Sequence, residues 1–123
     1  MSATTAFFEE LEERGYEPRA AAMRGTMRFD LRRGKRTERW RVSVDRGTVT
    51  VSHGGGEADA IVRTDEALFD GLVGGEVNAM AAVLRGALEV EGDGGLLLLF
   101  QRLLGPVASG TKPSEVRSAG RAR

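Results

Sequence analysis

Residues 23–51 have the sequence MRGTMRFDLRRGKRTERWRVSVDRGTVTV, in which apolar and polar side chains alternate through three consecutive segments. A period of two is typical of strands that bury only one face. From Met23 to Leu31, for example, the odd positions are Met, Gly, Met, Phe and Leu, whereas arginine, threonine and aspartate occupy the even positions. Segments 33–36 and 45–47 contain glycine, as tight hairpin turns require. The stretch therefore predicts three antiparallel strands with one buried face.

The flanking sequence predicts helices and further strands. An amphipathic helix is expected over 4–14, where Gly15 can end it, and a weaker alternation predicts a fourth strand over 58–63. Helical spacing of apolar residues follows at about 65–73, 77–85 and 96–104, and a strand at 87–91 precedes the last of these. Consecutive strands with one apolar face favour an open α+β fold, in which helices cover one face of the sheet and the other face is wet.

The chain of 123 residues fits one globular domain, which we expect over 1–105. Residues 106–123 contain only two valines among their apolar residues larger than alanine or proline, and no aromatic residue, so we expect a disordered basic tail there. Apolar runs such as Leu96 to Phe100 are too short to span a membrane, and early glutamates argue against a signal peptide. With no cysteine in the sequence, these features favour a cytoplasmic protein.

Charge is unevenly distributed although the formal net charge is zero. Residues 14–46 carry 11 basic and 4 acidic side chains, whereas residues 57–93 carry 2 basic and 9 acidic ones. A nucleic-acid-binding domain usually has an overall basic excess, so this balance argues against that class. Two interpretations of the basic strands stay open: a solvated sheet face with Asp30 and Glu38 as counter-charges, or a surface for anionic membranes. The basic residues concerned are Arg24, Arg28, Arg32, Arg33, Lys35, Arg36, Arg39 and Arg41.

The sequence offers little to a catalytic or metal site. Its single histidine, His53, follows Ser52, and neighbouring residues of a strand point to opposite faces. His53-Gly54-Gly55-Gly56 is similar to an esterase oxyanion motif, but the Gly-x-Ser-x-Gly elbow is absent from the sequence. One histidine and no cysteine leave only scattered carboxylates as metal ligands. We therefore expect no catalytic residues, no metal and no cofactor.

The second half of the chain is rich in apolar residues. Of the 38 residues from Ala67 to Leu104, 22 are Ala, Val, Leu, Met or Phe. On a helical wheel the last helix has a wide apolar arc that leaves Leu98 on the polar side, and Leu88 and Val90 are expected to face inward from the preceding strand. Two interpretations remain: these side chains fill a small core, or they line a space for an apolar ligand.

Several stretches together resemble the sterol carrier protein 2 domain family. They are MRFDL (27–31), WRVSV (40–44), GTVTV (47–51), ADAIVRTD (58–65), LVGG (72–75), NAM (78–80) and RGALEVEGD (85–93). The last two are the most specific, because they combine a helix ending in Arg-Gly with a strand ending in Gly-Asp before an apolar helix. The resemblance covers residues 4 to 104.

This resemblance implies a five-stranded, mostly antiparallel sheet with helices on one face, enclosing an apolar cavity for a sterol, fatty acyl chain or phospholipid. It further implies that the fourth strand lies beside the first. The ligand-binding residues carried over from the family pattern are Met27, Phe29, Trp40, Phe69, Leu72, Met80, Leu84, Leu97, Phe100 and Leu104. The tail ends Gly120-Arg-Ala-Arg123, unlike the peroxisomal address of animal members, which favours a stand-alone bacterial member.

Two functions are compatible with the sequence. The first is non-enzymatic binding or transfer of a lipid in an internal tunnel, with weak contact to anionic membranes. The alternative is an accessory domain whose apolar helices, with Leu98 exposed, pack on a partner protein or on a second copy. Lipid mass or protein mass retained after mild purification distinguishes them.

Overall fold

The computed structural model describes residues 2–104, so the predicted tail at 106–123 lies outside the described residues. The helices are α1 (Ala3–Arg14), α2 (Glu66–Val73), α3 (Ala79–Leu84) and α4 (Gly94–Leu103), and a short 3-10 turn covers Pro18–Ala20. The strands are β1 (Arg24–Arg33), β2 (Arg36–Asp45), β3 (Thr48–His53), β4 (Ala60–Asp65) and β5 (Glu89–Gly92). They form one sheet in the order β3-β2-β1-β4-β5, which confirms the open α+β fold.

The alternation in β1, β2 and β3 produces the predicted two-faced sheet. Met27, Phe29 and Leu31 are buried beneath the helices, and their partners across the β1–β2 pair include Val42 and Trp40. The two-residue turn between β2 and β3 has positive φ at both positions, as a type I′ hairpin requires. At its second position Gly47 is essential, because a Cβ there would overlap the ring of Tyr16.

The chain crosses back over the sheet between β3 and β4, as the family resemblance implied. β4 pairs in parallel with β1, and Met27 is opposite Ala60. The connecting segment runs over the outer face, the face away from the helices, where Arg28 donates a hydrogen bond to the carbonyl of Gly56 at 2.6 Å. Arg41 donates similarly to the carbonyl of Glu57 at 3.1 Å. The predicted wet face is therefore partly covered by its own crossover loop.

Aromatic rings bind the helix layer to the sheet. Phe8 of α1 stacks on Trp40 with ring centroids 4.5 Å apart, and it also stacks on Phe69 of α2 at 5.6 Å. Phe100 of α4 packs on Phe29 of β1 at 5.2 Å. Rings of this size dominate the apolar area buried in small cores, so this cluster fixes three helices on the same face.

The outer face is organised around Asp30, which is buried although its position on the strand predicted exposure. The register of the sheet places Arg39 of β2 and Arg63 of β4 on either side of it. Its carboxylate contacts Arg28 at 2.9 Å, Arg39 at 3.5 Å and Arg63 at 3.6 Å. The hydrogen bond from Arg28 raises the pKa of that guanidinium. Asp30 is thus a counter-charge, as expected, whereas no ion pair is found for Glu38 in residues 2–104.

The fifth strand differs from its prediction. It covers only Glu89–Gly92, so Leu88 is buried just before it rather than within it. Val90 was expected to face inward, and its side chain is 38% exposed. The reason is that Val90 faces the helix side where α3 and α4 do not close over the sheet. On the outer face of the sheet, Glu91 of this strand forms an ion pair with Arg63 of β4 at 3.4 Å.

Candidate functional site

An apolar groove lies between α3, β5 and α4 on the helix side of the sheet. Its volume is about 420 Å³, within the ~300–1,000 Å³ typical of small-molecule sites. Among residues 2–104 the groove is open to solvent at its mouth, and the enclosed cavity that the family resemblance implied stays a prediction. The lining residues are Ala79, Met80, Val83, Leu88, Val90, Gly94, Leu97, Leu98, Phe100 and Gln101.

Local sequence signals set the two helices that form the groove walls. The side chain of Asn78 accepts the backbone N–H of Ala81 at 2.9 Å and begins α3. Asp93 accepts the N–H of Leu96 at 2.9 Å and begins α4. Between β5 and α4 the chain turns at Gly92, with φ of 106°, where a Cβ would overlap the carbonyl of Asp59. The glycine therefore allows α4 to leave the sheet edge directly beside the groove.

An ion pair between buried Glu17 and exposed Arg19 fixes the far end of α4. Glu17 is buried and its carboxylate accepts the Nε–H of Arg19 at 2.7 Å. That hydrogen bond lowers the pKa of Glu17 to about 2. Arg19 also donates to the carbonyl of Arg102 at 2.9 Å, at the last turn of α4. The helix that forms one groove wall is thus held at its N-terminus by Asp93 and at its C-terminus by this ion pair.

The structure brings three of the ten predicted site residues into the groove: Met80, Leu97 and Phe100. Six others are buried in the core away from the groove lining, namely Met27, Phe29, Trp40, Phe69, Leu72 and Leu104. Leu84 was expected to face the interior, but its side chain is 80% exposed, and it does not line the groove. Small residues explain this: Ala79 and Ala82 are the side chains of α3 that are buried against the rest of the fold.

Sequence reasoning missed most of the groove wall. Leu98 had been placed on the polar side of the last helix, yet it lines the groove while remaining about half exposed. Val83 and Gln101 carried no signal that set them apart from core or surface residues. Val90 was recognised as apolar and facing the helices, and its exposure at the edge strand is what makes it available to a ligand.

Two other concavities of similar volume have a different chemical character. One of about 410 Å³ lies at the β1–β2 hairpin and is lined by Arg33, Arg36, Thr37 and Glu38. The other, of about 420 Å³, lies at the start of α2 and includes Arg32, Asp65, Glu66 and Asp70. Volume therefore does not single out the groove, whereas its nearly continuous apolar lining does.

The residues considered for catalysis and for metal binding do not come together in the part of the chain that the structure describes. In residues 2–104 there is no group of three or more His, Asp or Glu side chains placed to hold a metal ion. The ring of His53 packs on Trp40 with centroids 4.1 Å apart, whereas Ser52 pairs with Arg41 on the outer face of the sheet. Among residues 2–104, no helix has the length and apolarity needed to cross a membrane.

Comparisons with known proteins agree with this geometry. The family model described as the SCP-2 sterol transfer family matches residues 6–105. The palmitated SCP2L2 of Aedes aegypti is similar in structure, with a TM-score of 0.66 and 18% identity over 85% of this chain and 96% of that one. The sterol carrier protein domain 2 of Helicoverpa armigera gives 0.61 and 22%, over 87% and 89%.

The same fold also occurs as part of a much larger enzyme. The stereoselective inverting sec-alkylsulfatase of a Pseudomonas species is similar, with a TM-score of 0.63 and 19% identity. The match covers 80% of this chain but only 15% of that protein. No curated protein sequence matches this chain.

Proposed function

This chain belongs to the SCP-2 sterol transfer family, and from that premise we propose that it binds and carries a lipid without catalysing a reaction. The observation that supports the proposal is the groove between α3, β5 and α4, whose lining is apolar except for Gln101. The family match supports lipid binding in general, without a specific ligand or site. The groove as binding site, and a single alkyl or acyl chain as the part bound, are our proposal.

Burial of methylene groups supplies the binding energy in this arrangement. Each buried methylene contributes ~0.8 kcal/mol, so a chain with about 12 buried methylenes gains roughly 10 kcal/mol before ordering costs. The groove offers no cation to a head group, so we propose that the polar end of the lipid stays at the open mouth. Affinity should then rise about fourfold for each added methylene until the groove is full.

Phe100 connects the groove to the core behind it. Its ring lies in the groove wall and also packs on Phe29 at 5.2 Å and on Phe69 at 5.9 Å. We propose that the predicted residues in the core, Met27 and Leu72 among them, hold this wall in place rather than contact the lipid. Met80 and Leu97 are proposed to contact it directly, because both line the groove.

Two matched substitutions test the groove. Leu97→Glu places a carboxylate in the groove wall, where leaving a charge without a partner is costly, and we expect loss of a fluorescent fatty acid probe. Leu84→Glu makes the same chemical change on α3, at an exposed position outside the groove, and should retain the probe. Circular dichroism checks that both variants fold. Equal probe affinity in the two variants would contradict the proposed site.

A protein interaction domain is the second candidate, because Met80, Leu84 and Leu98 are large apolar side chains that remain exposed. A partner protein or a second copy could cover them. Native mass spectrometry of the gently purified chain separates the candidates. A carrier retains the additional mass of a lipid on a monomer, whereas an interaction domain shows the mass of a dimer or of a protein partner.

A further inference from the structure

Exposed apolar side chains concentrate on one side of the molecule. Within residues 2–104, five large hydrophobic side chains are exposed, and four of them belong to α3, β5 and α4. These four are Met80, Leu84, Val90 and Leu98, and the fifth is Tyr16. Three of the four line the groove, while Leu84 lies one helical turn beyond Met80 along α3. The mouth of the groove is therefore bordered by apolar side chains that face water.

The charges beside this border are basic. The segments 77–88 and 94–104 contain no aspartate or glutamate, whereas each contains one arginine, Arg85 or Arg102. Arg102 is exposed and lies one helical turn from Leu98 on α4. We name the surface made by Met80, Leu84, Leu98, Arg85 and Arg102 the α3–α4 face.

The acidic side chains of β5 and at the start of α4 point elsewhere or have partners. Asp93 accepts the backbone N–H of Leu96, and Glu91 pairs with Arg63 on the outer face of the sheet. Glu89 is opposite Arg63 in the β4–β5 pair. Because it lies two residues from Glu91 on the same strand, its side chain points to the same outer face. By contrast, α1 exposes four glutamates, Glu9, Glu10, Glu12 and Glu13. The α3–α4 face is thus apolar and basic, a combination that suits the boundary between acyl chains and anionic head groups.

We propose that the α3–α4 face docks on an anionic lipid bilayer and presents the groove mouth to it. This inference rests on the proposed function, because docking is useful only if the groove binds a lipid. With its mouth against the bilayer, the groove can exchange a lipid chain with the membrane directly. The face on the outer side of the sheet is less suited, because its arginines are engaged. Arg24 pairs with Asp45, Arg32 pairs with Asp65, and Arg28, Arg39 and Arg63 surround Asp30.

Charge also argues against a second copy as the occupant. A two-fold symmetric dimer brings the same patch of both subunits together. Two α3–α4 faces would then place Arg85 and Arg102 of both copies in one interface, with no acidic side chain on either α3 or α4 to offset them. A bilayer containing phosphatidylserine supplies the opposite charge.

Vesicle co-sedimentation tests the docking surface. The full chain is mixed with vesicles of phosphatidylcholine alone, or of phosphatidylcholine with phosphatidylserine, at low and high salt. We expect binding to the anionic vesicles that weakens at high salt. Leu84→Glu should reduce it at least tenfold, because an inserted apolar side chain becomes a carboxylate. Arg102→Gln should reduce it about fivefold. Thr50→Glu, on exposed β3, is the control and should leave binding within twofold.

Docking and groove binding can fail separately, because Leu84 does not line the groove. Leu84→Glu should still bind the fluorescent fatty acid as the unaltered chain does. Vesicle binding without any probe binding would overturn the proposed function and leave docking intact. Probe binding without vesicle binding would overturn docking alone.

Two further outcomes would overturn the docking proposal. In the first, Lys35→Gln with Arg36→Gln at the β1–β2 hairpin reduces vesicle binding while Leu84→Glu does not, which would assign the membrane contact to the basic hairpin. In the second, analytical ultracentrifugation shows a dimer that Leu84→Glu dissociates, which would assign the α3–α4 face to a second copy.

Discussion

Replacing Glu17 with glutamine should make the fold less stable at neutral pH and less sensitive to acid. Both carboxylate oxygens of Glu17 contact Arg19, at 2.7 Å and 3.0 Å, and the side chain is buried. The backbone N–H of Arg19 adds a third hydrogen bond at 3.0 Å. Glutamine has the same shape but no charge, so it keeps the packing and removes the ionic part of these contacts.

The magnitude follows from the pKa of the carboxylate. Hydrogen bonding to Arg19 lowers the pKa of Glu17 from 4.5 to about 2 in the folded chain. Each unit of difference between the folded and unfolded states corresponds to 1.36 kcal/mol, so the charged form contributes roughly 3 kcal/mol to the free energy of unfolding. Because the folded pKa is depressed, this contribution is present above pH 4.5 and is lost as the pH falls to about 2.

Urea unfolding followed by circular dichroism at a series of pH values measures this contribution. At pH 7 the Glu17→Gln variant should lose roughly 2–3 kcal/mol of stability relative to the unaltered chain. The difference between the two proteins should shrink between pH 5 and pH 2 and disappear at the acid end. Glu13→Gln is the matched control, since Glu13 is exposed on α1, and its effect should stay within about 0.5 kcal/mol.

A stability difference between Glu17→Gln and the unaltered chain that stays constant from pH 7 to pH 2 would refute this reasoning. It would mean that shape or hydrogen bonding, and not the charge on Glu17, accounts for the loss. Equal stability of the two proteins at pH 7 would refute it as well, because the ion pair with Arg19 would then contribute nothing to folding.

Asp30→Asn should lower the free energy of unfolding by about 1.5–3 kcal/mol, measured by urea denaturation, because it removes the charged acceptor of the two hydrogen bonds from Arg28. Gly92→Ala should cost at least about 1 kcal/mol, since its φ of 106° and the adjacent carbonyl exclude a Cβ; an alanine variant as stable as the unaltered chain would contradict the turn geometry. Ser52→Ala with His53→Ala should leave fatty acid binding unchanged and alter no ester or thioester hydrolysis, because the two side chains lie on opposite faces of the sheet. Turnover that depends on either residue would support an esterase instead.

The sheet could be predicted from the sequence because its signal is local. Alternation in residues 23–51 needs only the period of a strand, and it correctly separated Met27, Phe29 and Leu31 from the arginines between them. The burial of Asp30 could not be predicted in the same way. It depends on the register of two neighbouring strands, one of which joins β1 in parallel after a long crossover.

The groove was harder to predict, because it is formed where large apolar side chains remain exposed and do not pack into the core. The family pattern carried over Met80 and Leu84 as ligand-facing residues of α3, because both are large and apolar. In the structure the small residues Ala79 and Ala82 are buried, which lets α3 approach closely, and the larger residues remain outside. The small size of Ala79 and Ala82, and not hydrophobicity alone, therefore decided which face of α3 is buried.

The two faces of the sheet divide the structural and the proposed binding roles. On the outer face, ion pairs around Asp30 and the crossover loop join β1, β2 and β4, so its many arginines are mostly committed to the fold. On the helix side, α1, α2 and part of α4 close the core through their aromatic rings, whereas short α3 and the four-residue edge strand β5 leave Val90 and Leu98 uncovered. Anchoring α4 at both ends, through Asp93 and Arg19, keeps one wall of that opening fixed while the other wall depends on a helix of six residues. A lipid chain entering the groove would therefore displace α3 more readily than α4, since the buried side chains of α3 are two alanines.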